Sequence, residues 1–120
     1  MATIDDFKNI EMKIGTILKA EYIEGADKLL RLEVDFGTTQ SVQEDGIITQ
    51  VVDIRQILSG IREFYAPEDL IGKQCPFVTN LAPRMFRGLE SNGMIVAAGM
   101  GKEAILLSPW KEVPPGTGLR

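Results

Sequence analysis

The chain contains no histidine and a single cysteine, Cys75. Without an imidazole, the usual nucleophile–base pairs and most zinc sites cannot be assembled. A lone cysteine cannot close an internal disulfide, which fits a reducing compartment. Between Gln74 and Pro76 it reads as a small hydrophobe rather than a nucleophile. Long apolar runs are missing too: nothing approaches the ~20 residues that span a bilayer. The opening MATIDDF has neither the basic nor the apolar region of a secretion signal. The expectation is a cytoplasmic protein that does not enter a membrane. The acids, Asp5, Asp6, Glu44, Asp45, Glu68 and Asp69 among them, show no metal-loop spacing, and GMG at 99–101 sits in no βαβ unit. No catalytic, metal or cofactor site is expected.

What is present points to one ordered domain. The chain has 120 residues, 44% hydrophobic and 25% charged, which suits a single core and not disorder. Its net charge of −4 gives no long-range attraction for polyanions. The charge is uneven, however. Residues 55–94 carry five cations, four of them arginine, against four anions, so a non-acidic strip lies on an acidic body.

Thr3-Ile-Asp-Asp6 has capping-box spacing and predicts a helical turn over Ile4 to Lys8, with Ile4 and Phe7 plugging one end of a core. Lys13 to Ile23 alternates, with Ile14, Thr16, Leu18, Ala20 and Tyr22 on one face. Glu24 to Asp27 reads as a hairpin loop. In the next strand Leu30, Leu32, Val34 and Phe36 face in, while Arg31, Glu33 and Asp35 face out. Gly37 to Gly46 is polar and turn-like. Ile47 to Leu58 is β-branched and long for one strand, so a bend is expected within it. Pro67-Glu-Asp-Leu-Ile-Gly72 has proline at the first helical position, acids in the first turn and glycine at the end, which marks one short helix. Gln74 to Leu81 and Gly93 to Ala98 are the fourth and fifth strands, joined by a loop. Ala104 to Leu107 is a short extra strand, and a Pro/Gly-rich tail follows.

The fold class is therefore all-β: a five-stranded OB-fold barrel with a short helix between strands three and four, plus a C-terminal extension with extra short strands. The barrel is expected over about 11–98 and the extension over about 99–120, within one domain.

Two clusters are chemically distinctive. In APRMFRG, Arg84 and Arg87 either offer guanidiniums for bidentate phosphate contact and stacking on bases, or are simply solvated. Met85 and Phe86 either supply a stacking platform or tuck under the loop. In RQILSGIR, Arg55, Gln56, Ser59, Gly60 and Arg62 either face a shared groove or keep an exposed edge soluble. Asn80, Ser91 and Asn92 can bond ribose or base edges, or equally close turns through their own backbone.

The order and spacing of SGI, PEDLIGK, NL-P and G-ESNGM, with the N-terminal DFKNIEMKIGTILKAEYIEGADKLLRLEVDFG, resemble the tRNA-binding domain of the methionyl-tRNA synthetase C-terminal or β-chain type. The resemblance covers nearly the whole chain. It implies an OB-fold that binds tRNA by shape and backbone and has no catalysis of its own. Its RNA-facing positions match Arg55, Ser59, Arg62, Asn80, Arg84, Ser91 and Met94, while Asn92 replaces a glutamine. It also implies a homodimer formed through a C-terminal extension resembling LLSPWKEVPPGTGLR, and a synthetase catalytic domain as partner in cis or in trans. Two features depart from the pattern: the acidic charge, and a segment Gly37 to Val52 longer than the compact hairpin of free-standing members. The alternative relative is the export-related chaperone CsaA, a peptide-binding dimer. It ranks second because SGI is kept here.

Overall fold

Alternating strands become a sheet wherever one face can be buried, and the computed structural model, which describes residues 1–120, follows that pattern. Helix α1 (Ile4–Lys8) leads into β1 (Met12–Tyr22), β2 (Leu30–Val42) and β3 (Ile48–Ser59). Helix α2 (Pro67–Leu70) precedes β4 (Gln74–Val78), and short strands β5 (Arg84–Phe86), β6 (Leu89–Ser91), β7 (Met94–Ile95), β8 (Ala97–Met100) and β9 (Glu103–Leu106) complete the order. The main sheet is five-stranded and antiparallel, in the order β3-β2-β1-β4-β7. It curls into a half-barrel of OB-like form, with α2 between the third and fourth strands as expected.

The core sits inside the curl. Leu30, Leu32, Val34 and Phe36 are buried to 2% exposure or less, as their alternation predicts. Each such side chain contributes ~1.5–3 kcal/mol on leaving water. Phe36 meets Phe77 edge to face, with ring centroids 5.4 Å apart. Leu70 and Pro67 of α2 close the bottom, and the thiol of Cys75 lies within the same cluster. Burial raises that thiol to a pKa of about 11, so it packs as a hydrophobe.

Several elements differ from their sequence pattern. In β1 the register shifts between Ile17 and Lys19, so Ile17 is fully buried while Leu18 turns outward at 37% exposure. A bulge inserts one residue and reverses the faces beyond it, which a strict two-residue period cannot show. Helix α1 has the predicted capping box, Thr3 and Asp6 each accepting the other's N–H. Its Ile4 and Phe7 nonetheless remain on the surface, 68% and 39% exposed, and plug nothing. A five-residue helix has too small a face to enter the core.

The segment read as turn-like, Gly37 to Gly46, is largely strand. β2 runs on to Val42 and pairs with β3 from Thr38↔Val52 to Val42↔Ile48, forming a two-stranded arm. The expected bend lies in β2 and not in β3: Phe36 and Gly37 together face Asp53. There β2 leaves β1, and the C-terminal tail takes the vacated edge. Ile14 N–H bonds Thr117 O (2.8 Å), Gly116 N–H bonds Ile14 O (2.7 Å) and Leu119 N–H bonds Met12 O (2.9 Å). Gly37 and Gly116, both with φ above +80° or at it, pass so close to Pro115 O and Phe36 O that a Cβ at either would overlap backbone.

The predicted loop 82–92 contains the hairpin β5–β6, turning at Arg87 and Gly88, both with positive φ. The predicted fifth strand is split into β7 and β8, and β8 pairs with β9. That second hairpin is held to the body by Tyr65, whose hydroxyl donates to Ala104 O (3.0 Å) and accepts from Leu106 N–H (3.1 Å). No helix is long and apolar enough to cross a membrane.

Candidate nucleic-acid interface

The half-barrel closes along only part of β3. Ser91 Oγ accepts from Leu58 N–H (3.0 Å) and donates to Gly93 O (3.3 Å), and Asn92 N–H reaches Gln56 O (2.9 Å). Ser91 is 4% exposed, so its hydroxyl serves this joint. The joint fixes β5–β6 beside the end of β3 and leaves a groove of about 490 Å³ between them. Its walls are apolar, with Leu29, Ile61, Phe86 and Met94 prominent, and Ser59 and Arg84 also line it.

Arg84 lies over the ring of Phe86, 4.9 Å from the centroid, so the aromatic supports the cation at the groove's lip. Arg62 donates to the carbonyls of Ile23 (3.3 Å) and Ala26 (3.1 Å) and stacks on Tyr22 at 4.4 Å. Arg87 approaches the same β1–β2 turn from the other hairpin, since a Cβ at Gly25 would lie 3.9 Å from its Nη1. None of the four ion pairs of the protein involves Arg62, Arg84 or Arg87. Lys28 and Lys102, likewise outside every ion pair, share a shallow depression with Gly60 and Glu63. The sequence pattern singled out neither lysine. They lie far apart in the chain, and only the closing of the β8–β9 hairpin brings them together.

Arg55 has a different setting. Its side chain pairs with Asp53 (2.9 and 3.2 Å), donates to Thr79 O (2.6 Å) and lies 5.4 Å from the centre of the Phe36 ring. It ties β3 to the end of β4 and does not line the groove. Asn80 is also a tie: its Oδ1 accepts from Glu11 N–H (2.8 Å) and its Nδ2 donates to Asn9 O (2.9 Å). Beside it, Thr79 Oγ1 donates to Glu11 Oε1 at 2.7 Å, and this bond, with Lys13 and Arg55 nearby, holds the Glu11 carboxyl below the usual range. Thus Ser59, Arg84 and Met94 share the groove, Arg62 and Arg87 flank it, Ser91 and Asn92 hold it shut behind, and Arg55 and Asn80 brace another end. An apolar trough flanked by guanidiniums that have no carboxylate partner can take flat, anionic, partly unstacked chains: phosphates at the rim and bases against the floor.

Comparison with known proteins agrees with that chemistry. The family described as "Putative tRNA binding domain" matches residues 12–118. The chain is 45% identical over 116 residues, 97% of its length, to a methionine–tRNA ligase of Methanothrix thermoacetophila. It is 46% identical over 120 residues to that of Methanoregula boonei. It spans only 15–16% of the length of these curated relatives. Among solved structures, a MetRS-related protein from Pyrococcus horikoshii superposes with a TM-score of 0.82 at 34% identity, covering 100% of this chain and 98% of that one. The chaperone CsaA of Bacillus anthracis gives 0.80 at 32%, covering 100% and 99%.

Proposed function

The chain belongs to the tRNA-binding domain family, and from that membership we propose that it is a binding module of a methionyl-tRNA ligase, raising tRNA affinity without chemistry of its own. The observation that supports this most is the set of guanidiniums at Arg62, Arg84 and Arg87. They carry no carboxylate partner in a protein whose overall charge is −4. Arg84 and Arg87 neutralise phosphates, Phe86 and Met94 receive an unstacked base, and Ser59 stands at the ribose edge. Arg55 and Asn80, being engaged internally, act by holding the frame. A synthetase catalytic domain, in cis or in trans, supplies the remaining contact. Self-association through residues 99–120, where Trp110 is wholly exposed, belongs to the same proposal.

A salt titration with unfractionated tRNA tests the reading. Each phosphate contact contributes a log–log slope of about −0.7 for single-stranded regions. Absence of binding at low ionic strength defeats it. The apolar floor and the likeness to CsaA favour a second reading, capture of unfolded peptide in the same groove. Peptide capture tolerates salt and survives loss of Arg84 and Arg87, whereas tRNA binding does neither.

A further inference from the structure

The arm, residues 38–52, takes no part in the groove, and its surface chemistry is unlike that of the body. All its residues except Thr49 are exposed. Neither Thr38–Gln43 nor Gly46–Val52 contains a charge; only Glu44 and Asp45, in the turn, are ionised. With no cation, the arm has nothing to offer a polyanion. One of its faces carries exposed apolar side chains among amides: Val42 (70% exposed) pairs with Ile48 (59%), the Gln40–Gln50 pair comes next, and Val52 (61%) and Ile54 (45%) follow beyond it on β3.

The outer edge of β3 is open along the same stretch. Gln56 O and Leu58 N–H point away from β2, toward Asn92 and Ser91. Ile47 O points inward, to Gln43 N–H. By the two-residue alternation, the N–H and C=O of Ile48, Gln50, Val52 and Ile54 therefore face outward with no strand against them. Natural edges are blunted by lysine, proline, a bulge or a cover. This one has none of these, and its β-branched run IITQVV is the composition that accepts another strand.

We propose that a second copy of this chain completes the edge, β3 against β3, antiparallel about a twofold axis at Gln50. This register is compatible with the outward-facing groups: Gln50 pairs with Gln50, and Ile48 with Val52, as hydrogen-bonded pairs. The segment is complementary to itself. Ile48 faces Val52 and glutamine faces glutamine, Thr49 meets Val51 and Ile47 meets Asp53, and no like charges meet across the axis. The apolar side chains at 42, 48, 52 and 54 of both copies then lie on one face, on either side of the two Gln50 side chains at the axis. An isologous contact needs this self-complementarity, which a foreign strand would have no reason to match.

The test reads contact at the arm and not total mass, so self-association through residues 99–120 does not mimic it. Gln50→Cys in the full chain is treated with a short bis-methanethiosulfonate cross-linker; native Cys75 is buried and inert. Thr39→Cys, on the outer strand, is the control. Its two copies would stand at least about 14 Å apart, three strand spacings. The expected result is linked dimer in most Gln50→Cys molecules, at least tenfold less for Thr39→Cys, and a tenfold drop when Val52→Lys is added to Gln50→Cys. Val52 is exposed, so the lysine leaves the fold intact, which an unchanged melting curve verifies. No linkage at 50, equal linkage at 39, or indifference to Val52→Lys overturns the proposal. A Gln50→Cys protein that stays unlinked but binds an added strand peptide would also overturn it, assigning the edge to another chain.

Discussion

The half-barrel and the arm are built from the same two strands, β2 and β3, yet they owe their order to different things. In the body, Leu30, Leu32 and Val34 alternate with charged residues and are sealed beneath α2 and β4. Past Gly37 the ladder continues, but nothing lies beneath it, and every side chain of β2 from Thr38 to Val42 meets solvent. The body is held by burial, whereas the arm has little beyond its own cross-strand bonds. An isolated two-stranded ribbon is marginal in water. Strand pairing is thus a consequence of register here, and stability comes from what the register buries.

Mutations can sharpen that contrast. Phe77→Ala, removing a fully buried ring from the body, is expected to cost ~3–5 kcal/mol in denaturant unfolding. Thr39→Ala, on the arm's outer strand and outside the β3–β3 contact, is expected to stay within ~0.5 kcal/mol. An equal loss at both sites would mean that this outer strand too is buried in solution. The groove and its brace give a second contrast. Arg84→Ala with Arg87→Ala should lower tRNA affinity more than tenfold and flatten the salt slope by roughly 1.4, at little cost in melting temperature. Arg55→Ala should do the reverse, destabilising by ~1–3 kcal/mol through the stranded Asp53 and Thr79 groups while leaving the salt slope unchanged.

A smaller effect concerns the Glu11 brace. Its carboxyl is held below the usual range in the folded state, so its contribution is present above the unfolded value near 4.5 and fades as pH falls through the lower folded value. Glu11→Gln should therefore flatten the loss of stability between neutral and acidic pH, measured by thermal melts, and leave melts above pH 6 nearly parallel. The smallest change is expected at Cys75. With a pKa of about 11 and full burial, alkylation at pH 8 should be slow in native protein and rapid after unfolding.

Much of the body was legible in the sequence because its signals are local. The capping box at Thr3, the alternation from Leu30 to Phe36 and the Pro67-to-Gly72 helix each carry their cause within a few residues. What escaped depended on distant partners. Nothing near Leu18 announces the bulge that exchanges it for Ile17. The polar run after Gly37 looks like a turn because an exposed ribbon has no buried face to imprint on its composition. In the groove, Arg84 and Arg87 stood out by their aromatic and sulfur neighbours. Lys28 and Lys102 did not, being joined only through the β8–β9 hairpin. The guanidinium of Arg55 looked as available as the others until Asp53 and Thr79 were seen to hold it.

The tail alongside β1 has a consequence for the order of events during synthesis. The module's own first long strand keeps part of one flank bare until residues 116–119 are made, the length of the module later. A nascent chain stalled before that point would hold a nearly finished barrel with an open seam at Met12 to Ile14, where chaperones or wrong partners could engage. The module would be sealed only when that seam closes, so replacing residues 116–119 with a flexible Gly-Ser run should make it far more prone to degradation than the loss of so few side chains suggests.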